Sequence, residues 1–148
     1  MVHSGTIIPE DSRVHVSQTV STIVQFRAID FGMERCELQL MIKPQSSVSL
    51  SSKPFTLDVF RLNSSLPLDT RALTYKTRPP RISKVAAVEV TGASDTHWYR
   101  GFACPSDDVL TFELACEPTL DEGECRVEWW QNKSNPPTAV FVRQHATV

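Results

Sequence analysis

The feature that most constrains this chain is an alternation of apolar and polar residues with a period of two. In a β-strand successive side chains point to opposite faces, so this pattern is typical of strands with one buried face. We expect eight or nine strands. Their buried positions fall on every second residue of 22–28, 36–42, 55–59, 86–90, 98–102, 110–116 and 125–129, and 140–142 is a short apolar run near the end.

Residues that break strands lie between these segments, at a spacing that indicates a β-sandwich or a barrel. No window keeps the period of a long helix, although 69–75 has room for one short helical turn. We therefore expect an all-β fold, an antiparallel, jelly-roll-like β-sandwich with little helix. No change of composition marks a boundary, so residues 1–148 are expected to form a single domain with a long loop at 45–52.

The charge balance argues against two classes of partner. With 15 Lys and Arg against 17 Asp and Glu among 148 residues, the formal net charge is -2. Nucleic acids and anionic membranes attract concentrated positive charge, so neither is an expected partner. No apolar run approaches the roughly 18 residues of a membrane span. The first residues lack the basic and apolar regions of a signal peptide.

The four cysteines, Cys36, Cys104, Cys116 and Cys125, share the phase of their apolar neighbours, so their sulfur atoms are expected in the core. Their successive spacings of 68, 12 and 9 residues contain no close pair of the kind that structural zinc sites use. Two disulfides are the favoured interpretation: Cys116 and Cys125 end two strands joined by one loop, which leaves Cys36 with Cys104. The competing interpretation is four reduced core cysteines in a cytosolic protein.

Two N-glycosylation acceptors bear on that choice. Asn63-Ser64-Ser65 and Asn132-Lys133-Ser134 both fit N-x-[ST] and both fall in predicted loops, where a glycan would not enter the core. Together with an even number of inward cysteines, they favour a secreted domain from a eukaryotic source. Its signal peptide would have been removed.

No motif indicates catalysis, a metal or a cofactor. The histidines share no metal-ligand spacing, no G-x-S-x-G motif is present, and the acidic loops at 107–108 and 117–124 lack the pattern of an EF-hand. Glu113 and Glu128 are predicted to point outward on neighbouring strands, as a glycan hydrolase would require of its two carboxylates. Outward glutamates usually only coat a surface, so we expect a non-catalytic protein.

The aromatic residues give the clearest indication of a binding surface. Trp129 and Trp130 are consecutive on one strand and must point to opposite faces. With Trp129 in the core, Trp130 would lie outside, where it is covered by a loop or presents a flat apolar face to a sugar ring or a protein. Tyr99 poses the same question opposite Trp98. The candidate binding residues are Trp130, Arg126, Glu128, Gln131 and Tyr99.

Four groups of residues also carry a family resemblance. They are 22–26 with 36–40, Phe102-Ala103-Cys104-Pro105-Ser106 leading into 111–114, Trp129-Trp130-Gln131, and the pair Pro136-Pro137. In these groups the sequence resembles, over 8–144, the fungal But-two C-terminal domain family. The resemblance implies a β-rich domain, usually secreted or associated with the cell wall, and supports a pairing of Cys36 with Cys104. The chain departs from the family pattern at Thr138-Ala139 and in carrying Cys116 and Cys125.

These observations predict a disulfide-stabilised glycoprotein module, secreted or associated with the cell wall, that is not an enzyme. Its expected partner is a cell-wall polysaccharide, through carbohydrate binding, or an extracellular protein. One alternative is an intracellular adaptor in ubiquitin-like conjugation, because the family takes its name from a yeast protein linked to such a pathway. The other alternative is the glycan hydrolase described above.

Overall fold

The computed structural model describes residues 4–7, 12–18, 20–27, 35–44, 48–51, 53–63, 80–104, 109–118, 125–131 and 139–145. Within these ranges the chain forms eleven β-strands and no helix. The strands are β1 (Ser4–Ile7), β2 (Ser12–Ser17), β3 (Thr22–Arg27), β4 (Arg35–Ile42), β5 (Ser49–Leu50), β6 (Phe55–Leu62), β7 (Arg81–Val90), β8 (Thr96–Ala103), β9 (Val109–Cys116), β10 (Arg126–Gln131) and β11 (Ala139–His145).

The strands form three sheets in which every pairing is antiparallel. Two sheets have four strands, in the orders β1-β11-β4-β8 and β3-β9-β6-β7, and a smaller sheet has the order β2-β10-β5. Each large sheet places early strands beside late ones, β1 beside β11 and β3 beside β9, as in a jelly roll. The predicted all-β, sandwich-like fold is therefore confirmed.

The core lies between the sheets and draws on all three of them. Phe102 of β8 meets Phe112 of β9 edge to face, with ring centroids 5.9 Å apart, so the two large sheets face each other. Val14 of β2 and Val127 of β10 bring the small sheet into the same cluster, and both are fully buried. The alternation predicted for β4, β6, β9 and β10 corresponds to inward side chains along each strand.

The structure has more strands than the eight or nine predicted. The additional strands are β1, β2 and β5, of which β1 and β5 have only four and two residues. Short strands carry too few residues to display a period, and β5 lies within the segment 45–52 that was predicted as a loop. The predicted helical turn at 69–75 lies outside the described residues.

Two disulfides link the strands near their ends. Cys36 of β4 is bonded to Cys104, which directly follows β8, with 5.7 Å between the Cα atoms. Cys116 at the end of β9 is bonded to Cys125, which directly precedes β10, with 6.0 Å between the Cα atoms. Both connections agree with the predicted pairing. The second one ties the small sheet to a large one.

The two disulfides are expected to stabilise the protein unequally. In the chain-entropy treatment, the cross-link over 68 residues contributes about 4 kcal/mol and the one over 9 residues about 2.5 kcal/mol. Replacing Cys36 and Cys104 together by Ala should therefore lower the free energy of unfolding more than replacing Cys116 and Cys125 together. Urea denaturation of both double variants measures the difference. An equal loss, or a larger loss for the Cys116 and Cys125 pair, would contradict it.

Candidate functional site

Strand β10 presents two consecutive tryptophans to opposite sides of the small sheet. β10 is the central strand, paired with β2 along its whole length and with β5 at Val127 and Glu128. Trp129 is 3% exposed and belongs to the core, whereas Trp130 is 62% exposed. The predicted opposition of the two indoles is therefore observed, and Trp130 keeps most of its surface in solvent.

The outer face around Trp130 carries charged groups. Arg126 and Glu128 lie on the same face of β10, with Arg126 Nη2 3.7 Å from Glu128 Oε2. His15 of β2 and Ser49 of β5 lie opposite Glu128 in the neighbouring strands. An exposed indole beside hydrogen-bonding groups on a sheet face can stack on a sugar ring while its neighbours bind hydroxyl groups.

Gln131, the fourth candidate on β10, ends the strand opposite Ser12. Its side chain lies outside the described part of the structure. All four candidates thus lie on one strand. We use the name Trp130 face for the outer surface formed by the side chains of Arg126, Glu128 and Trp130.

Tyr99 lies in a different sheet from Trp130. It is on edge strand β8, 61% exposed, with its ring centroid 5.8 Å from that of His97. His97 Nε2 lies 3.2 Å from Gln39 Oε1, and the Gln39 amide donates to Glu37. The alternation along β4 places Gln39 on the face opposite to Leu38 and Leu40, yet its polar neighbours leave it only 5% exposed. Tyr99 is therefore the exposed end of a row of polar side chains on β8 and β4, separate from the Trp130 face.

Glu113 does not form a pair of outward carboxylates with Glu128. The two residues lie on β9 and β10, which belong to different sheets, and Glu113 is fully buried. Its Oε1 accepts a hydrogen bond from Arg81 Nε at 2.7 Å, and its Oε2 accepts one from Ser21 Oγ at 2.7 Å. The prediction that Glu113 coats the surface is wrong, because β9 is covered on both faces. Its carboxylate lies within a structural ion pair.

A cleft that was not predicted from the sequence lies between edge strands β7 and β8. It has a volume of about 290 Å³. We call it the Arg61–Arg100 cleft, after its two arginines. The alternation along β6 could have indicated it, because Arg61 lies on the same inward face as Leu57 and Val59. Its walls include Leu38, Arg61, Val85, Arg100, Phe102 and Phe112.

Three further observations concern metals, membranes and glycosylation. Among the described residues, no three His, Cys, Asp or Glu side chains are grouped so that they could hold a metal ion. The same part of the chain contains no helix that is long and apolar enough to cross a membrane. Asn63 directly follows β6 and is exposed, and its backbone N–H donates to Pro80 O at 2.8 Å. Asn132 lies outside the described residues.

The antiparallel sheets, the shared core and the two disulfides define a disulfide-linked all-β domain of the jelly-roll type. The family model described as the ubiquitin 3 binding protein But2 C-terminal domain matches residues 4–135. The chain therefore belongs to the But2 C-terminal domain family, as the sequence resemblance predicted. No curated protein matches the sequence.

The two tryptophans should respond very differently to truncation. Trp129→Ala removes a large core side chain and should lower the free energy of unfolding by about 3–5 kcal/mol. Trp130→Ala should change it by less than about 0.5 kcal/mol, because most of its surface is already in solvent. Chemical denaturation of both variants provides the measurement. A large loss of stability in Trp130→Ala would show that the indole is a structural element.

The buried and the exposed ion pair should also differ. A double-mutant cycle with Ala at Arg81 and Glu113 should give a coupling free energy of about 1.5–3 kcal/mol, because Glu113 is fully buried. The same cycle at Arg126 and Glu128 serves as the matched control and should give less than about 0.5 kcal/mol, because both side chains are solvent-accessible. Similar coupling in the two cycles would contradict the structural role of Glu113.

Proposed function

We propose that this protein is a non-catalytic binding module that acts outside the reducing cytosol. Its Trp130 face would bind a cell-wall polysaccharide. The observation that carries the proposal is the 62% exposed indole of Trp130 on the outer face of the small sheet's central strand. Large aromatic side chains in such a position favour contact with a partner, because water solvates their apolar faces poorly.

The compartment is supported by the disulfides. Both bonds lie in or beside the core, and the described residues contain no free cysteine. Disulfides persist in oxidising environments and are rare where cellular thiols are kept reduced. The exposed Asn63 fits this placement, because a secreted chain could carry a glycan there without disturbing the core.

The chemistry of the Trp130 face suits a sugar. One pyranose ring stacked on the indole would contribute about 1–2 kcal/mol, by analogy with other aromatic contacts. Arg126 and Glu128 supply a donor and an acceptor for hydroxyl groups on the same face. A single site of this kind has a Kd in about the millimolar to high-micromolar range. Useful retention therefore requires several copies along a polymer.

The family description favours a second candidate, which is a protein partner. The family model is described as a ubiquitin 3 binding protein. On this interpretation Trp130 would be the buried anchor of a protein interface, with Arg126 at its rim. Such an interface could serve an adaptor in ubiquitin-like conjugation, although two disulfides in or beside the core favour a location outside the cytosol.

The test is retention of the purified protein on insoluble chitin, on β-glucan and on immobilised ubiquitin. We expect retention on one of the two polysaccharides, reduced at least about fivefold by Trp130→Ala, because the stacking surface is lost. Tyr99→Ala is the matched control, because Tyr99 is equally exposed but lies in another sheet. Its retention should equal that of the wild type.

Two outcomes would overturn the polysaccharide proposal. If Trp130→Ala folds and is retained as well as the wild type, the Trp130 face is not the binding surface. Retention on ubiquitin alone, lost in Trp130→Ala, would establish the protein partner instead.

A further inference from the structure

The Arg61–Arg100 cleft lies at the open edge where the two large sheets meet. β7 and β8 are consecutive strands, yet each is the last strand of a different sheet, so no ladder pairs them. The floor of the cleft is formed by side chains of the core, Leu38 and Phe112, which are 1% and 2% exposed. A ligand could therefore contact apolar core atoms directly while it enters from solvent.

Arg61 brings a cation to an inward position of this apolar site. It lies opposite Phe112 in the pairing of β6 with β9, and its guanidinium carbon is 5.3 Å and 5.8 Å from the ring centroids of Phe112 and Phe102. The residue is half-buried. The N–H groups of a guanidinium point outward in its own plane. A guanidinium held over aromatic rings can therefore still bind an anion in a bidentate manner.

Arg100 brings a second cation from the opposite sheet. It lies opposite Leu38 in the pairing of β4 with β8, and its Nη1 donates to Val85 O at 2.6 Å. The carbonyl oxygen of Val85 is accessible to Arg100 because the register between β6 and β7 shifts at Val85. Such β-bulges are common beside functional sites, where they redirect backbone or side-chain groups. The bond to Val85 holds Arg100 at the mouth of the cleft.

The charge environment of Arg61 and Arg100 differs from that of Arg81 and Arg126. Arg81 and Arg126 each have a carboxylate within 4 Å, at Glu113 and Glu128. In the described part of the chain, no carboxylate forms an ion pair with Arg61 or Arg100. A positive charge placed beside core side chains without a counter-ion favours an anionic ligand.

From this arrangement we propose that the Arg61–Arg100 cleft binds a small carboxylate with an apolar body. The carboxylate would accept hydrogen bonds from the two guanidinium groups, and the apolar body would lie against Phe102, Phe112 and Leu38. A volume of about 290 Å³ accommodates one aromatic ring with its carboxylate. The same chemistry occurs in a free aromatic acid and at the C-terminus of a peptide chain that ends in an aromatic residue.

The proposal is tested by NMR titration of the isotope-labelled protein with sodium benzoate and with its neutral analogue benzamide. Benzoate should shift the backbone amide signals of Val85 and Phe102, and benzamide should bind at least about tenfold more weakly, because only the carboxylate forms charge-assisted hydrogen bonds. This comparison uses the unaltered protein. A second pair of ligands, acetyl-Gly-Phe with a free and with an amidated C-terminus, distinguishes a chain terminus from a free acid as the source.

Variants of Arg61 then test whether its positive charge binds the carboxylate. Arg61→Gln should raise the Kd for benzoate at least about tenfold, and Arg61→Lys should raise it less, because the charge remains while the bidentate geometry is lost. Arg143→Gln is the matched control: Arg143 also lies over a ring, 6.0 Å from the centroid of Phe141, but belongs to the outer face of β11. It should bind benzoate like the wild type.

Three results would overturn the proposal. They are equal binding of benzoate and benzamide, amide shifts confined to residues away from the cleft, and an Arg61→Gln variant that folds and binds benzoate with unchanged Kd. None of them bears on the Trp130 face, which lies on another sheet, so the two proposals fail separately.

Discussion

The structure depends on one strand that is buried on both faces. β9 pairs with β3 on one side and with β6 on the other, and its inward residues, including Phe112, form the centre of the core. Its outward side is covered as well, so Glu113 must be satisfied by Arg81 and Ser21 instead of by water. A buried carboxylate is costly unless it is paired and hydrogen-bonded, which explains why both oxygens have partners.

The ends and edges around β9 determine where binding surfaces can form. The disulfide from Cys116 to Cys125 connects the end of β9 to the start of β10, so the small sheet is held against the core while Trp130 faces outward. Elsewhere, β7 and β8 are the last strands of different sheets and do not pair with each other. Arg100 connects them through the carbonyl of Val85, and a cleft remains. One surface thus presents an exposed aromatic side chain, and the other is concave and cationic.

The candidate site was predictable where it depended on the phase of a strand. The alternation along β10 is local, so the sequence alone placed Trp129 inside and Trp130 outside. Alternation also places Arg61 on the inward face of β6, after Leu57 and Val59. An inward arginine indicates a cleft, however, only when the opposite wall is known. That wall comes from β8, about forty residues away along the chain.

The all-β class, the inward position of the cysteines, the opposition of the two tryptophans and the family are predictable from the sequence alone. All of these follow from a period of two or from short motifs, which the chain carries locally. Only the folded structure shows which strands are neighbours. It placed Glu113 and Glu128 in different sheets, covered the outer side of β9, and brought Arg61 and Arg100 together. Alternation states which face of a strand is buried, but strand order and the cover on a second face depend on contacts between distant segments.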